Sequence, residues 1–137
     1  IKDKPNEPFF VINGDLMTNL DFDKMMDFHY ENESEATMSI TEYNLDMPYG
    51  EVKLKNENII SIEEKPYYKI FVNAGVYILD PNCIELIPKK FYDMPTLFKK
   101  IIIKKRKTIS FPIHEYWLDI GRIDDFKKAK IEYSKVF

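Results

Sequence analysis

Phe9-Phe10-Val11-Ile12-Asn13-Gly14-Asp15 is the segment from which the predicted fold follows. Four large apolar residues in a row, closed by Asn and Gly, predict a short strand that is buried on both faces and therefore central in its sheet. Because ligands of open α/β sheets bind outside the carboxyl ends of central strands, Asp15 is placed to meet a metal or a phosphate. On local pattern alone, a simple turn-capping role for Asp15 is an equally good interpretation.

Length and composition predict a single domain over residues 1–137. The 137 residues, 45% of them hydrophobic, are enough for one core and too few for two. Lys and Arg total 20 against 23 Asp and Glu, for a formal net charge of -3, so no nucleic-acid partner is expected. Any phosphate binding must therefore come from a local site.

Cysteine content and apolar runs indicate the compartment. Cys83 is the only cysteine and cannot form an intramolecular disulfide. No apolar run approaches the roughly 20 residues that span a bilayer, so we expect a cytoplasmic protein without membrane association. The segment from Ile1 to Pro8 has neither an initiator Met nor a signal-like apolar block, so we expect these residues to lie inside a longer chain.

Hydrophobic periodicity predicts alternating strands and helices. Helices are expected from Asp21 as N-cap, from Asp80-Pro81, from Asp93 and over residues 123–136. Strands are expected over residues 36–43, 72–79, 108–113 and 116–119, with a hairpin between 51 and 62. Pro112 favours a sheet edge or a bulge. The helix after Asp93 should turn four apolar side chains inward, namely Leu97, Phe98, Ile101 and Ile102.

His29 falls on the apolar face of the first predicted helix, so we interpret it as a packing residue. The whole chain has two histidines and one cysteine, and a zinc site is therefore not expected.

The end of the predicted hairpin carries a charged pair, Glu64 and Lys65. On a period of two, Glu64 shares a face with Ile60 and Ile62, so a charge follows where apolar side chains had been pointing. A charged residue in a position where the pattern predicts an apolar one indicates a functional site more often than a structural role. The alternative is an ordinary strand end entering water, which the pattern alone slightly favours.

Small residues interrupt the apolar strand at residues 72–79. Ala74 and Gly75 permit the close approach of a ligand or of another backbone. Packing between neighbouring elements is the alternative.

Five segments occur in the order seen in the sugar-1-phosphate nucleotidyltransferases, and the chain resembles that family from Phe9 to Ala129. The segments are Asn13-Gly14-Asp15, Pro48-Tyr49-Gly50, Ile62-Glu63-Glu64-Lys65-Pro66, Val72-Asn73-Ala74-Gly75-Val76-Tyr77 and Glu115-Tyr116-Trp117-Leu118-Asp119-Ile120-Gly121. Each segment is weak alone, but the ordered set is specific. The fold expected is α/β, a Rossmann-like mixed, mostly parallel sheet with flanking helices, here as a partial nucleotidyltransferase domain.

The resemblance implies an enzyme that transfers a nucleotidyl group from a nucleoside triphosphate (NTP) to a sugar 1-phosphate, releasing pyrophosphate and giving an NDP-sugar. Both reactants are polyanions, so catalysis should rest on charge neutralisation and alignment. Asp15 and Asp119 match the family carboxylates that hold Mg²⁺, and Lys65 matches the lysine that contacts the sugar phosphate.

Three further residues match sugar contacts of the family. Glu64 corresponds to the glutamate that accepts hydrogen bonds from sugar hydroxyls, and Asn73 and the Gly50 backbone are further sugar contacts. The sequence at residues 111–117 and 48–50 is most similar to that of a bacterial subgroup related to mannose-1-phosphate guanylyltransferases. This similarity favours GTP as the nucleotide donor. A homo-oligomer is left open.

One family feature is absent from this chain. Family members begin with a glycine-rich loop whose backbone amides and arginine hold the triphosphate, whereas the four glycines here are far apart. We therefore expect the C-terminal, sugar-binding part of the catalytic domain, and we expect these 137 residues alone not to turn over. The alternatives are a non-catalytic relative that senses sugar phosphate or nucleotide, and, with less support, a purely structural α/β domain.

Overall fold

The computed structural model of the chain describes residues 4–121 and 123–136. The described residues form two compact units, one made of the chain up to Thr41 together with the chain from Asn73 onward, the other of Glu42–Val72. The expectation of a single domain stays a prediction. Within the described ranges, no helix combines the length and the apolar character that a membrane crossing requires.

Eight strands, three α-helices and one 3-10 helix follow one another in the described chain. In order they are β1 (Phe9–Ile12), β2 (Leu16–Thr18), α1 (Phe22–Glu31), β3 (Ala36–Asp46), β4 (Glu51–Lys55), β5 (Asn58–Glu63), β6 (Tyr67–Leu79), the 3-10 helix (Pro81–Leu86), α2 (Met94–Ile103), β7 (Thr108–Pro112), β8 (Trp117–Asp119) and α3 (Ile123–Val136). The predicted α/β class, with a mixed sheet and flanking helices, is confirmed.

The helix starts predicted from capping residues are confirmed. The Asp21 carboxylate accepts the Lys24 N–H at the start of α1, and the Asp93 carboxylate accepts the Thr96 N–H at the start of α2. Asp80 caps a short 3-10 helix, which ends at Leu86 and has Ile87 as its C-cap just before a proline.

The main sheet of the first unit has the strand order β1-β6-β3-β7. β1 pairs antiparallel with β6, and β7 pairs parallel with β3. Pro112 therefore lies on an edge strand, as predicted. The prediction that the 9–12 strand is central and buried on both faces is wrong for the described residues: it pairs on one side only, so its side chains are half-buried or exposed.

β6 is the strand buried on both faces. Its last six residues, 74–79, are all buried, and their side chains alternate between two apolar clusters. The first cluster contains Ala36, Tyr77, Leu79, Cys83, Leu97, Phe98 and Ile101. The second contains Leu20, Met25, Ala74, Val76, Ile78 and Ile113. The prediction that Ile102 points inward is wrong, because its side chain is 56% exposed.

The second unit contains the predicted hairpin. β4 and β5 pair antiparallel with Val52 opposite Ile62, and the register shifts between Lys53 and Leu54. β5 ends at Glu63, so the period of two used to place Glu64 on the same face as Ile60 and Ile62 does not extend to it. Lys65 instead has a left-handed backbone, with φ of 47°.

Candidate active site

Asp15 and Asp119 lie at one end of a two-stranded ribbon formed by β2 and β8. The sequence pattern predicted β8 but not β2. The three-residue strand β2 pairs antiparallel with β8, and Leu16 stands opposite Asp119. Beyond this pair, the Ile120 N–H donates a 2.8 Å hydrogen bond to the carbonyl oxygen of Asp15. The main chain therefore brings Asp15 and Asp119 to the same end of the ribbon.

The two carboxylates converge on Gly121. A Cβ built on Gly121 would lie 3.1 Å from Asp119 Oδ1 and 3.1 Å from Asp15 Oδ2, so these oxygens can be no farther apart than twice that distance. The Gly121 N–H also donates a 2.9 Å hydrogen bond to Asp119 Oδ1. Both aspartates are exposed, and their carboxylates face a shared space at the surface.

The charge of this site suits a divalent cation. Neither carboxylate forms an ion pair with a cationic side chain in the described part of the chain. Two anionic groups at this separation repel each other, and a bound cation offsets that repulsion. No third His, Cys, Asp or Glu joins them among the described residues. Mg²⁺ is commonly held by only one or two carboxylates, with water and phosphate oxygens completing its shell, so the pair fits that ion.

Contacts to β6 hold the turn and the strand that carry the acids. The Asn13 N–H donates to the Gly75 carbonyl oxygen at 2.9 Å, and the Trp117 indole N–H donates to the Ala74 carbonyl oxygen at 2.8 Å. Gly75 has φ of 77°, and a Cβ there would lie 2.8 Å from Asn13 Nδ2 and 2.9 Å from Leu16 Cδ1. Gly75 therefore packs closely against the Asn13 and Leu16 side chains, as the packing interpretation predicts.

Asn73 is exposed on β6, and its amide takes part in the internal hydrogen bonding of the strand. Its Oδ1 accepts the Gly75 N–H at 3.0 Å, and its Nδ2 donates to the Tyr77 hydroxyl at 2.7 Å. Burial raises the pKa of Tyr77, which therefore stays protonated at neutral pH. These bonds orient the Asn73 amide and leave one lone pair and one N–H of it for a ligand.

The second unit brings together the other predicted site residues. A Cβ on Gly50 would lie 3.0 Å from Glu64 Oε2, so the Glu64 carboxylate rests against the Gly50 backbone. Lys65 follows directly and is exposed, and no ion pair involves it among the described residues. A left-handed lysine before a proline is a strained arrangement, of a kind that concentrates at functional sites. The Pro66 ring is buried and its carbonyl oxygen accepts the Met47 N–H at 3.2 Å, which anchors this turn.

The predicted residues thus fall into two groups. Asp15, Asp119 and Asn73 belong to the first unit, and Gly50, Glu64 and Lys65 belong to the second. Sequence reasoning missed the contribution of Gly121. The sequence feature that could have indicated it is the position of Gly121, two residues after Asp119, a predicted metal ligand.

A family model described as nucleotidyl transferase matches residues 1–136. The mannose-1-phosphate guanyltransferase of Kluyveromyces lactis is 32% identical over 95% of this chain and 37% of its own length. The enzyme of the same name from Saccharomyces cerevisiae is 33% identical with the same coverage. The mannose-1-phosphate guanylyltransferase catalytic subunit beta of Dictyostelium discoideum is 34% identical over 88% of this chain and 34% of its own length. The chain thus spans little more than a third of these curated relatives.

Solved structures also match most of this chain. The crystal structure of HddC from Yersinia pseudotuberculosis is 28% identical, with a TM-score of 0.62 over 93% of this chain and 56% of that one. HddC has also been solved in complex with GMP-PN, at 27% identity and a TM-score of 0.61. A putative glucose-1-phosphate thymidylyltransferase from Bacillus anthracis, at 20% identity and a TM-score of 0.64 over 93% of this chain and 55% of that one, shares the fold.

Proposed function

Because the chain belongs to the nucleotidyl transferase family, as its ordered segments predict, we propose that it takes part in joining a nucleoside triphosphate to a sugar 1-phosphate. The products of this reaction are an NDP-sugar and pyrophosphate. One phosphate oxygen of the sugar 1-phosphate attacks the α-phosphorus of the triphosphate, and the bond from that phosphorus to the β-phosphate oxygen breaks.

The observation that carries the proposal is the convergence of the Asp15 and Asp119 carboxylates beside Gly121. In the proposed reaction these two side chains hold Mg²⁺, which when bound offsets negative charge on the phosphates. The main-chain hydrogen bond from Ile120 to Asp15 would keep the two carboxylates in place to hold the ion. Such preorganisation lowers the barrier because no group has to reorient as charge shifts.

The residues of the second unit supply the proposed sugar-phosphate contacts. The Lys65 ammonium is a mobile point charge suited to a phosphate oxygen, and the Glu64 carboxylate accepts hydrogen bonds from sugar hydroxyls. The Gly50 backbone adds a sugar contact, and in the first unit the Asn73 amide is proposed as another.

The names of the relatives guide the choice of substrates. The curated relatives described above are mannose-1-phosphate guanyltransferases, and HddC has been crystallised with GMP-PN. We therefore propose GTP and mannose 1-phosphate as the substrates, with other hexose 1-phosphates and NTPs as the comparison set.

The test is pyrophosphate release by the full-length protein with GTP, mannose 1-phosphate and Mg²⁺. We expect Asp119→Asn and Asp15→Asn to lower kcat by about 10² to 10³, the scale for removing a preorganised charge-stabilising group. Asp27→Asn is the matched control, because Asp27 is an exposed aspartate on α1. Near-wild-type kinetics of Asp119→Asn would remove the metal role. If the protein binds sugar phosphate or nucleotide but releases no pyrophosphate with any combination of NTP and sugar 1-phosphate, the result would instead favour a non-catalytic sensor.

A further inference from the structure

We infer that Gly121 is a positioning residue: its lack of a side chain keeps open the space beside the Asp15 and Asp119 carboxylates in which a divalent cation is held. The inference rests on the proposed function, because it concerns the same pair of acids. It adds a residue to which neither the sequence patterns nor the family resemblance gave a role.

The steric argument comes from the two distances to a Cβ at Gly121. Both are 3.1 Å, which is closer than non-bonded carbon and oxygen atoms normally lie, and both end on carboxylate oxygens. Those oxygens belong to exposed, flexible side chains. An added methyl group is therefore accommodated by turning the carboxylates away. This disturbs the positions of the two proposed metal ligands more than it destabilises the fold.

The backbone gives no other reason for a glycine at this position. Among the described glycines, positive φ is found at Gly75, at 77°, whereas Gly121 lies outside the left-handed region that favours glycine. The Gly121 N–H that donates to Asp119 Oδ1 belongs to the main chain, so the donor itself is retained in alanine. Gly121→Ala therefore isolates the effect of the missing side chain.

The chain offers a matched control in Gly14. This glycine is adjacent to Asp15, and a Cβ built on it meets no atom within 4 Å. Gly14→Ala makes the same chemical change one residue from the same carboxylate, but it adds the methyl group in open space.

The experiment measures Mn²⁺ binding to the full-length protein, by electron paramagnetic resonance and calorimetry, for wild type, Gly121→Ala, Gly14→Ala and Asp119→Asn. We expect Gly121→Ala to weaken Mn²⁺ binding by about 10- to 100-fold, the range for losing support around a metal ligand. Its melting temperature without metal should stay within about 3 °C of wild type. Gly14→Ala should bind Mn²⁺ like wild type, and Asp119→Asn should lose most binding.

The outcomes separate this inference from the proposed function. Wild-type Mn²⁺ affinity in Gly121→Ala, with binding lost in Asp119→Asn, would overturn the role of Gly121 and leave the metal site standing. An unfolded Gly121→Ala would also overturn it, because the glycine would then serve the fold. Wild-type protein that binds no Mn²⁺, or Asp119→Asn that binds it normally, would overturn the metal role proposed above together with the inference.

Discussion

The Ile120 N–H donates a 2.8 Å hydrogen bond to the carbonyl oxygen of Asp15, although more than a hundred residues separate the two in the chain. The bond joins the residue after one proposed metal ligand to the other ligand through the main chain alone. Replacement of either carboxylate therefore leaves this link in place. Variants of Asp15 and Asp119 should fold, so that their kinetic effects report on chemistry.

Lys65→Ala should weaken the engagement of the sugar phosphate. Lys65 is exposed and has no ion pair among the described residues, so its proposed contact is with substrate. A charge-assisted hydrogen bond is worth about 1.5–3 kcal/mol, which predicts a rise in the KM for sugar phosphate of roughly 10- to 100-fold in steady-state kinetics. Lys55→Ala, an exposed lysine at the end of β4, is the control. An unchanged KM and kcat in Lys65→Ala would remove the phosphate role.

Gly50→Ala should disturb the sugar contact of Glu64. Its Cβ would lie 3.0 Å from Glu64 Oε2, the far end of a flexible side chain, so the carboxylate moves and the fold persists. We expect the KM for sugar phosphate to rise by about one order of magnitude, corresponding to about one hydrogen bond to a charged group. In a Glu64→Ala background the same change should have no further effect, because the two residues act through one contact. Additive effects would show that Gly50 acts independently of Glu64.

Gly75→Ala should destabilise the protein. Alanine at φ of 77° costs about 1–2 kcal/mol, and the close approach to Asn13 Nδ2 and Leu16 Cδ1 adds an overpacking penalty of about 1–3 kcal/mol. We expect the free energy of unfolding, measured in urea, to fall by the sum of these two costs, about 2–5 kcal/mol. Gly14→Ala, with open space around its Cβ, should change it by less than about 0.5 kcal/mol. Equal effects of the two substitutions would contradict the packing assigned to Gly75.

His29 should make stability depend on pH. The imidazole is 1% exposed, its Nδ1 lies 2.8 Å from Thr37 Oγ1, and its Nε2 has no hydrogen-bond partner among the described residues. Burial lowers the pKa of His29, an effect that the Asp80 charge partly offsets. The unfolded chain therefore takes up a proton near the ordinary histidine pKa of about 6.5, while the folded protein does so only at lower pH. This contribution to stability is complete above about pH 6.5 and is lost as pH falls below it.

Urea unfolding at pH 7.5, 6.0 and 5.0 tests the assignment. In His29→Asn, which can still hydrogen-bond to Thr37, we expect a smaller loss of stability between pH 7.5 and 5.0 than in wild type. His114→Asn, which removes the other, exposed histidine, is the comparison variant, and its pH profile is measured beside that of His29→Asn. A profile of His29→Asn that parallels the wild type would show that another group titrates.

Local chemistry is what made much of the fold predictable. An aspartate at an N-cap satisfies backbone N–H groups of the next turn wherever the helix later packs, so Asp21 and Asp93 marked their helices correctly. Pro112 lacks an N–H, and the strand that carries it lies at a sheet edge. The membership in the nucleotidyl transferase family followed from the order of five segments and is confirmed by the family match.

The remaining features depend on contacts between distant segments. The apolar run at residues 9–12 predicted a central strand, but a strand is central only when partners lie on both sides, and β6 takes that place in the described residues. β2 was missed because three residues carry too little pattern to identify a strand; its partner β8 lies about a hundred residues away.

The sequence by itself determined the helix starts, the hairpin, the choice of Asp15 and Asp119 as candidate site residues, and the family. Each of these depends on neighbouring residues or on their order along the chain. Only the tertiary structure decided that Asp15 and Asp119 share one surface space and that Gly121 lies against both. The physical reason is that the register between β2 and β8 sets these distances, and register is a property of the pair of strands that neither strand carries alone.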